Sequence, residues 1–184
     1  MARVILIVGT LVTSWLWMQI VHEFGHVLGA WSTGGTVERV VLHPLAISRT
    51  DVSAAQHPLV VIWAGPILGC LLPVLMWLLS KWLKWHSEFL YRFFAGFCLL
   101  ANGAYLAGGS FDGIGDCGDL LRHGSPIWTL WLFGLVTIPA GLLLWHEQGR
   151  HFGLGPRRLP VDARLAYTVA VIAGLTAVME VATS

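Results

Sequence analysis

The chain has 184 residues, 56% of them hydrophobic and 11% charged, with a formal net charge of +1. Soluble domains carry about 25% charged residues, so this composition excludes an ordinary soluble domain and points to an integral membrane protein. A charge this close to zero gives no footprint for nucleic acid. The three cysteines, Cys70, Cys98 and Cys117, form neither a disulfide framework nor a C-x-x-C metal pair, and read as small packing residues.

A spanning helix needs about 20 mainly apolar residues. The first candidate runs from about Val4 to Trp31 and is too long for the apolar core of a cleavable signal, so it reads as a retained span. Its last third holds His22-Glu23-Phe24-Gly25-His26, an H-E-x-x-H pair. On a helix, positions four apart share a face, so His22 and His26 can offer two imidazole nitrogens to one metal ion. Glu23 lies about 100° round the helix from His22, within reach of a general-base role. Ionisable groups at membrane depth are costly without partners, and a zinc-hydrolase site inside the membrane is the reading that supplies one.

Residues 32–57 form the longest polar interval, and the β-branched content after Gly34-Gly35 predicts short strands, a hairpin-like insertion after the first helix. A second span, about Leu59–Leu79, contains Ala64-Gly65-Pro66, and small residues there permit close helix contact. Residues 81–88 make a short amphipathic connection with Trp82 and Trp85, expected at the membrane interface. The third span, about Phe89–Leu106, leads into a glycine-rich stretch with Asp112, Asp116 and Asp119. Spans four and five fall at about Pro126–Trp145 and Ala163–Val181. The fold class is therefore all-α: about five transmembrane helices with one hairpin-like insertion, forming a single domain with a core over 1–125 and two additional spans over 126–184.

Alternating spans return the end of the third helix to the side where His22 and His26 lie. Two histidines and a carboxylate thus converge at one depth, completing three protein ligands with an open position, the usual catalytic zinc arrangement. The choice of third ligand lies between Asp112 and Asp116, with Asp119 third. His146 and His151 are five apart, roughly 140° off a common face, and Glu147 follows the fourth span on the opposite side. Glu180 is on the correct side without a surrounding motif, and Cys117 is better read as packing.

These residues resemble the site-2 protease family of intramembrane zinc metalloproteases. His22-Glu23-Phe24-Gly25-His26 looks like the family's H-E-x-G-H, Ala64-Gly65-Pro66 is similar to its Gly-Pro element, and Asn102 with Phe111-Asp112-Gly113 resembles its Asn…Leu-Asp-Gly element. The Asp-Gly match favours Asp112, and Asp116 in Gly115-Asp116 competes with it. No PDZ-like domain is expected within these 184 residues, and the interval Thr36–Ile47 stands available as an edge strand for an unwound substrate. The resemblance implies hydrolysis of transmembrane protein substrates, with zinc held by His22, His26 and an aspartate, and Glu23 as general base. Asn102 would stabilise the oxyanion, hold the opened substrate, or only bridge helices. The alternatives are a metal-binding membrane scaffold without proteolysis and a metal-ion transporter. A transporter would spread polar residues through the membrane depth, and the second, fourth and fifth spans are nearly devoid of them.

The expected location is a bilayer, as a multi-pass protein of a bacterial inner membrane. Arg3, Lys81, Lys84, Arg92, Arg150, Arg157, Arg158 and Arg164 fall on one side of that topology and Arg39, Arg49 and Arg122 on the other. The excess of positive charge predicts that the N-terminus faces the cytoplasm.

Overall fold

The computed structural model describes residues 1–183, and among them five helices are long and apolar enough to cross a membrane. In chain order these are α1 (Ala2–Ser32), α2 (Pro58–Trp82), α3 (Glu88–Gly109), α5 (Ile127–Trp145) and α6 (Ala163–Thr183). Two strands, β1 (Thr36–Val41) and β2 (Arg49–Ser53), follow α1, and the short helix α4 (Gly115–Arg122) follows α3. The expected all-α membrane architecture with a hairpin after the first helix is thus what the chain forms.

The helices stand in a row, with α1 between α6 and α2, and α3 between α2 and α5. Small residues set the spacing, since apolar lipid gives no hydrophobic drive for helices to associate and close packing must do so. A Cβ added to Gly9 would lie 3.3 Å from the backbone of Ala170 in α6, and one on Gly134 of α5 would lie 2.9 Å from the Gly103 carbonyl in α3. Pro66, Pro73 and Pro139 are inside helices, tolerated because neighbouring elements compensate the lost backbone bond.

The sheet is a single antiparallel pair with a bulge at Glu38: Val37 opposes Val52 and Arg39 opposes Asp51. The second strand starts at Arg49, beyond the end of the interval read as a candidate edge strand. The intervening loop is laid back along α1. Trp15 Nε1 donates to the Pro44 carbonyl at 3.0 Å, and Gln19 Oε1 accepts from the Ser48 N–H at 3.0 Å. Trp15 lies near the middle of α1, so the hairpin tip runs down the spanning helix rather than standing clear of it.

Two buried clusters mark the two ends of the bundle. Leu6, Phe89, Phe152, Ala166 and Val169 pack at the end where α1 starts. Leu106, Cys117, Leu120 and Leu130 pack at the end where α3 finishes, and this second cluster seats α4 beneath the histidines of α1.

Candidate metal centre

His22, Glu23 and His26 are all buried in α1, at 8%, 3% and 6% exposure. The Nε2 atoms of His22 and His26 are 3.1 Å apart. Asp116 Oδ2 lies 2.8 Å from the first and 3.3 Å from the second. Among the described residues these three form the one group of histidine, cysteine or carboxylate atoms close enough to hold a metal, all within 4.8 Å of one another.

The outer ring nitrogens decide how the inner ones are presented. His26 Nδ1 is 2.9 Å from the Val61 carbonyl, which only accepts. His22 Nδ1 is 2.7 Å from Asn102 Oδ1, and the orientation of that amide is fixed because its Nδ2 donates to the Cys98 carbonyl at 2.9 Å. Both Nδ1 atoms therefore carry the proton, and in neutral imidazoles both Nε2 lone pairs turn inward. Two lone pairs and a carboxylate oxygen then meet with no donor among them, and a cation resolves that arrangement. The observed separations are close to the edge of about 3.3 Å that a tetrahedron with metal–ligand bonds of about 2.0 Å would have. The donor set fits zinc.

Close helix contact makes room for this geometry. A Cβ on Gly65 would lie against the His26 ring, 2.9 Å from Cδ2, and one on Gly69 would lie 3.0 Å from the Asn102 amide atoms. Val61, Gly65 and Gly69, each four apart on one face of α2, thus meet His26 at Nδ1, His26 at its Nε2 edge and the Asn102 amide in turn. From α1, a Cβ on Gly25 would come within 2.7 Å of Gly65 Cα.

Asp116 reaches the group because the turn before α4 uses left-handed backbone at Gly113 and Gly115, with φ of 62° and 60°, where glycine carries no Cβ penalty. The Asp116 N–H donates to the Tyr105 hydroxyl at 3.0 Å, which ties the start of α4 to α3.

The other sequence candidates lie elsewhere. Asp112 sits in the turn ahead of α4, exposed and outside the histidine group. The Asp-Gly match that favoured it marks the turn, and the helix begun after Gly115 carries Asp116, one turn later, to the histidines. Asp119 is on α4 but pairs with Arg122 at the surface. Cys117 is fully buried with its Sγ 3.2 Å from the Tyr105 carbonyl, and burial pushes its thiol up to about 11. His151 stacks on Phe89 at the other end of the bundle.

Glu23 is not one of the grouped ligands. Its Oε1 accepts from Ser48 Oγ and its Oε2 from Thr50 Oγ1, both at 2.6 Å. Sequence reasoning missed Ser48, Thr50, Gln19 and Tyr105. Tyr105 had a local signal, lying one helical turn after Asn102 on α3. The hydroxyls had none, because their contact with Glu23 depends on the loop folding back along α1.

Comparison with known families identifies the kind of protein this is. Residues 2–113 match the family described as Peptidase M50B-like, which is more than half of the chain. The protein belongs to this family, one of the site-2 protease type. No curated protein and no solved structure matches it. As an M50B-like protein with five membrane-spanning candidates it is an integral membrane protein, and its family places it among intramembrane metalloproteases.

Proposed function

We propose that this protein hydrolyses peptide bonds of transmembrane protein substrates with one zinc ion held by His22, His26 and Asp116. The observation that carries the reading is the inward convergence of two Nε2 lone pairs and a carboxylate oxygen, with both Nδ1 protons fixed from behind. When bound there, zinc would supply Lewis acidity and a water acidified towards neutral pH.

The rest falls to the chain. Glu23 takes the proton of the attacking water on a carboxylate oxygen and later delivers it to the leaving amine, so one residue serves as base and then acid. Ser48 and Thr50 occupy the two carboxylate oxygens, which keeps an ionised group tolerable at membrane depth until substrate arrives. Asn102 orients His22 from behind as a positioning residue. A substrate helix must open before its carbonyls can be attacked, and the two-stranded sheet leaves an outer edge on which an opened segment could pair.

The deciding experiment is Glu23→Gln in the purified chain. It should abolish cleavage of a transmembrane substrate while leaving about one zinc per chain, whereas His22→Ala and His26→Ala should lose the metal. Unchanged turnover in zinc-loaded Glu23→Gln would overturn the mechanism, and full metal retention in both alanine variants would overturn the ligand set.

A further inference from the structure

At the opposite end of the bundle the structure holds a second polar feature that hydrolysis does not use. A depression of about 480 Å³ lies where α2 ends and α3 begins, lined by Trp77, Lys81, Lys84, Glu88 and Arg92. Three cations face one acid, Glu88, whose Oε1 accepts from Trp77 Nε1, so positive charge is in excess in the lining. Lys81 Nζ stands 5.5 Å over the Trp77 ring. One Arg92 nitrogen, Nη2, donates to the His146 carbonyl at 3.1 Å, while Nε is buried with no hydrogen-bond partner among the described residues.

Cations that line one depression without an equal number of acids repel one another, and an anion bound there would offset that repulsion. The position narrows the anion's identity. Trp82 and Trp85 are exposed beside it, at 77% and 45%, as expected of indoles at headgroup depth. The depression therefore opens at the level where lipid phosphates lie. It is also on the face with eight of the eleven Lys and Arg residues, the face that a leaflet rich in anionic lipid favours.

We propose that this depression binds the phosphate of one anionic phospholipid headgroup, with Lys81, Lys84 and Arg92 as the cations that hold it. The reading does not depend on the zinc site and would survive its failure.

The test is native mass spectrometry of the full chain released from vesicles of equal phosphatidylglycerol and phosphatidylcholine. The wild-type chain should retain one phosphatidylglycerol in preference to phosphatidylcholine. Lys81→Gln with Lys84→Gln should cut that preference roughly 30-fold, at about 5-fold per cation lost. Arg157→Gln with Arg158→Gln removes the same charge from an exposed stretch on the same face and should leave the preference within about 2-fold. Equal loss in both double variants would mean a diffuse surface potential and overturn the site. Thermal stabilisation of the lipid-free chain by millimolar inorganic phosphate, without preference for phosphatidylglycerol, would make it a soluble-anion site and overturn the lipid assignment. Lys84→Gln alone, an exposed change in a turn, reads out the same 5-fold step should the double variant be too unstable to purify.

Discussion

Gly65→Ala tests whether close contact between α1 and α2 shapes the metal centre. One methyl group is added, on the face of α2 that meets His26. Inside a helix, alanine is intrinsically favoured over glycine by up to about 1 kcal/mol. Here the added Cβ would lie 2.9 Å from His26 Cδ2 and closer still to Nε2, so the imidazole must move or the helices must part. Overpacking of this kind costs about 1–3 kcal/mol. The ring is held at Nδ1 by Val61, four residues before Gly65 on the same helix, and cannot swing away without breaking that bond. The strain therefore falls on the ligand atom, and zinc affinity should drop roughly 5- to 150-fold. Gly174→Ala is the control, since a Cβ there meets nothing within 4 Å. Zinc titration against a competing chelator, with thermal unfolding of both variants, reads the two effects separately. Wild-type zinc affinity in Gly65→Ala would refute the claim that this glycine exists to seat the histidine.

Asp116→Asn should remove stoichiometric zinc while Asp112→Asn retains it, measured by elemental analysis of the purified variants; the reverse result would return the third ligand to the Asp-Gly element. Asn102→Leu removes the acceptor that fixes His22 Nδ1 and should weaken zinc binding about 10- to 100-fold, a loss that equal affinity in chelator competition would disprove. Orientation can be read with single cysteines at Ser53 and Ser87 in a background lacking native cysteines. The charge count expects an impermeant thiol reagent to reach Ser53→Cys in intact cells and not Ser87→Cys, and the opposite labelling would reverse the topology.

The spans were legible because hydropathy acts over whole helices: each expected segment lies within about three residues of a helix in the structure. The two histidines were legible for a similar reason, since positions four apart must share a face whatever the rest of the chain does. Asp116 was legible only as one of a pair. Which aspartate turns inward depends on where α4 begins, and two left-handed glycines decide that. An Asp-Gly motif marks such a turn without saying which acid follows it into the helix. The roles of Ser48, Thr50 and Gly65 were out of reach because each is a property of two elements at once: how far the hairpin folds back, and in what register α2 crosses α1. Even Ala64-Gly65-Pro66, singled out as a helix-contact element, gave no sign that its glycine meets the His26 ring.

The division of labour round α1 shows why these residues sit at these spacings. At about 100° per residue, Gly25, Gly29, His22, Trp15, His26, Gln19 and Glu23 fall in that order along one arc of roughly 160°. The glycines lie on the side facing α2 and permit its backbone to approach. The histidines occupy the middle, and Gln19 and Glu23 lie on the side covered by the hairpin loop. The opposite face carries Phe24, Leu28 and Trp31, all exposed, as suits contact with lipid chains, and Trp17, whose Nε1 donates to Thr176 Oγ1 of α6. Glu23 is therefore carried to the hairpin hydroxyls by the same helical register that aims the histidines at Asp116. Shifting that register by one residue would rotate the arc by about 100° and turn the Glu23 carboxyl out of its hydrogen bonds. The H-E-x-x-H spacing thus serves the hydrogen bonds of the Glu23 carboxyl as well as the grouping of the histidines with Asp116, and the two demands are met by one turn of helix.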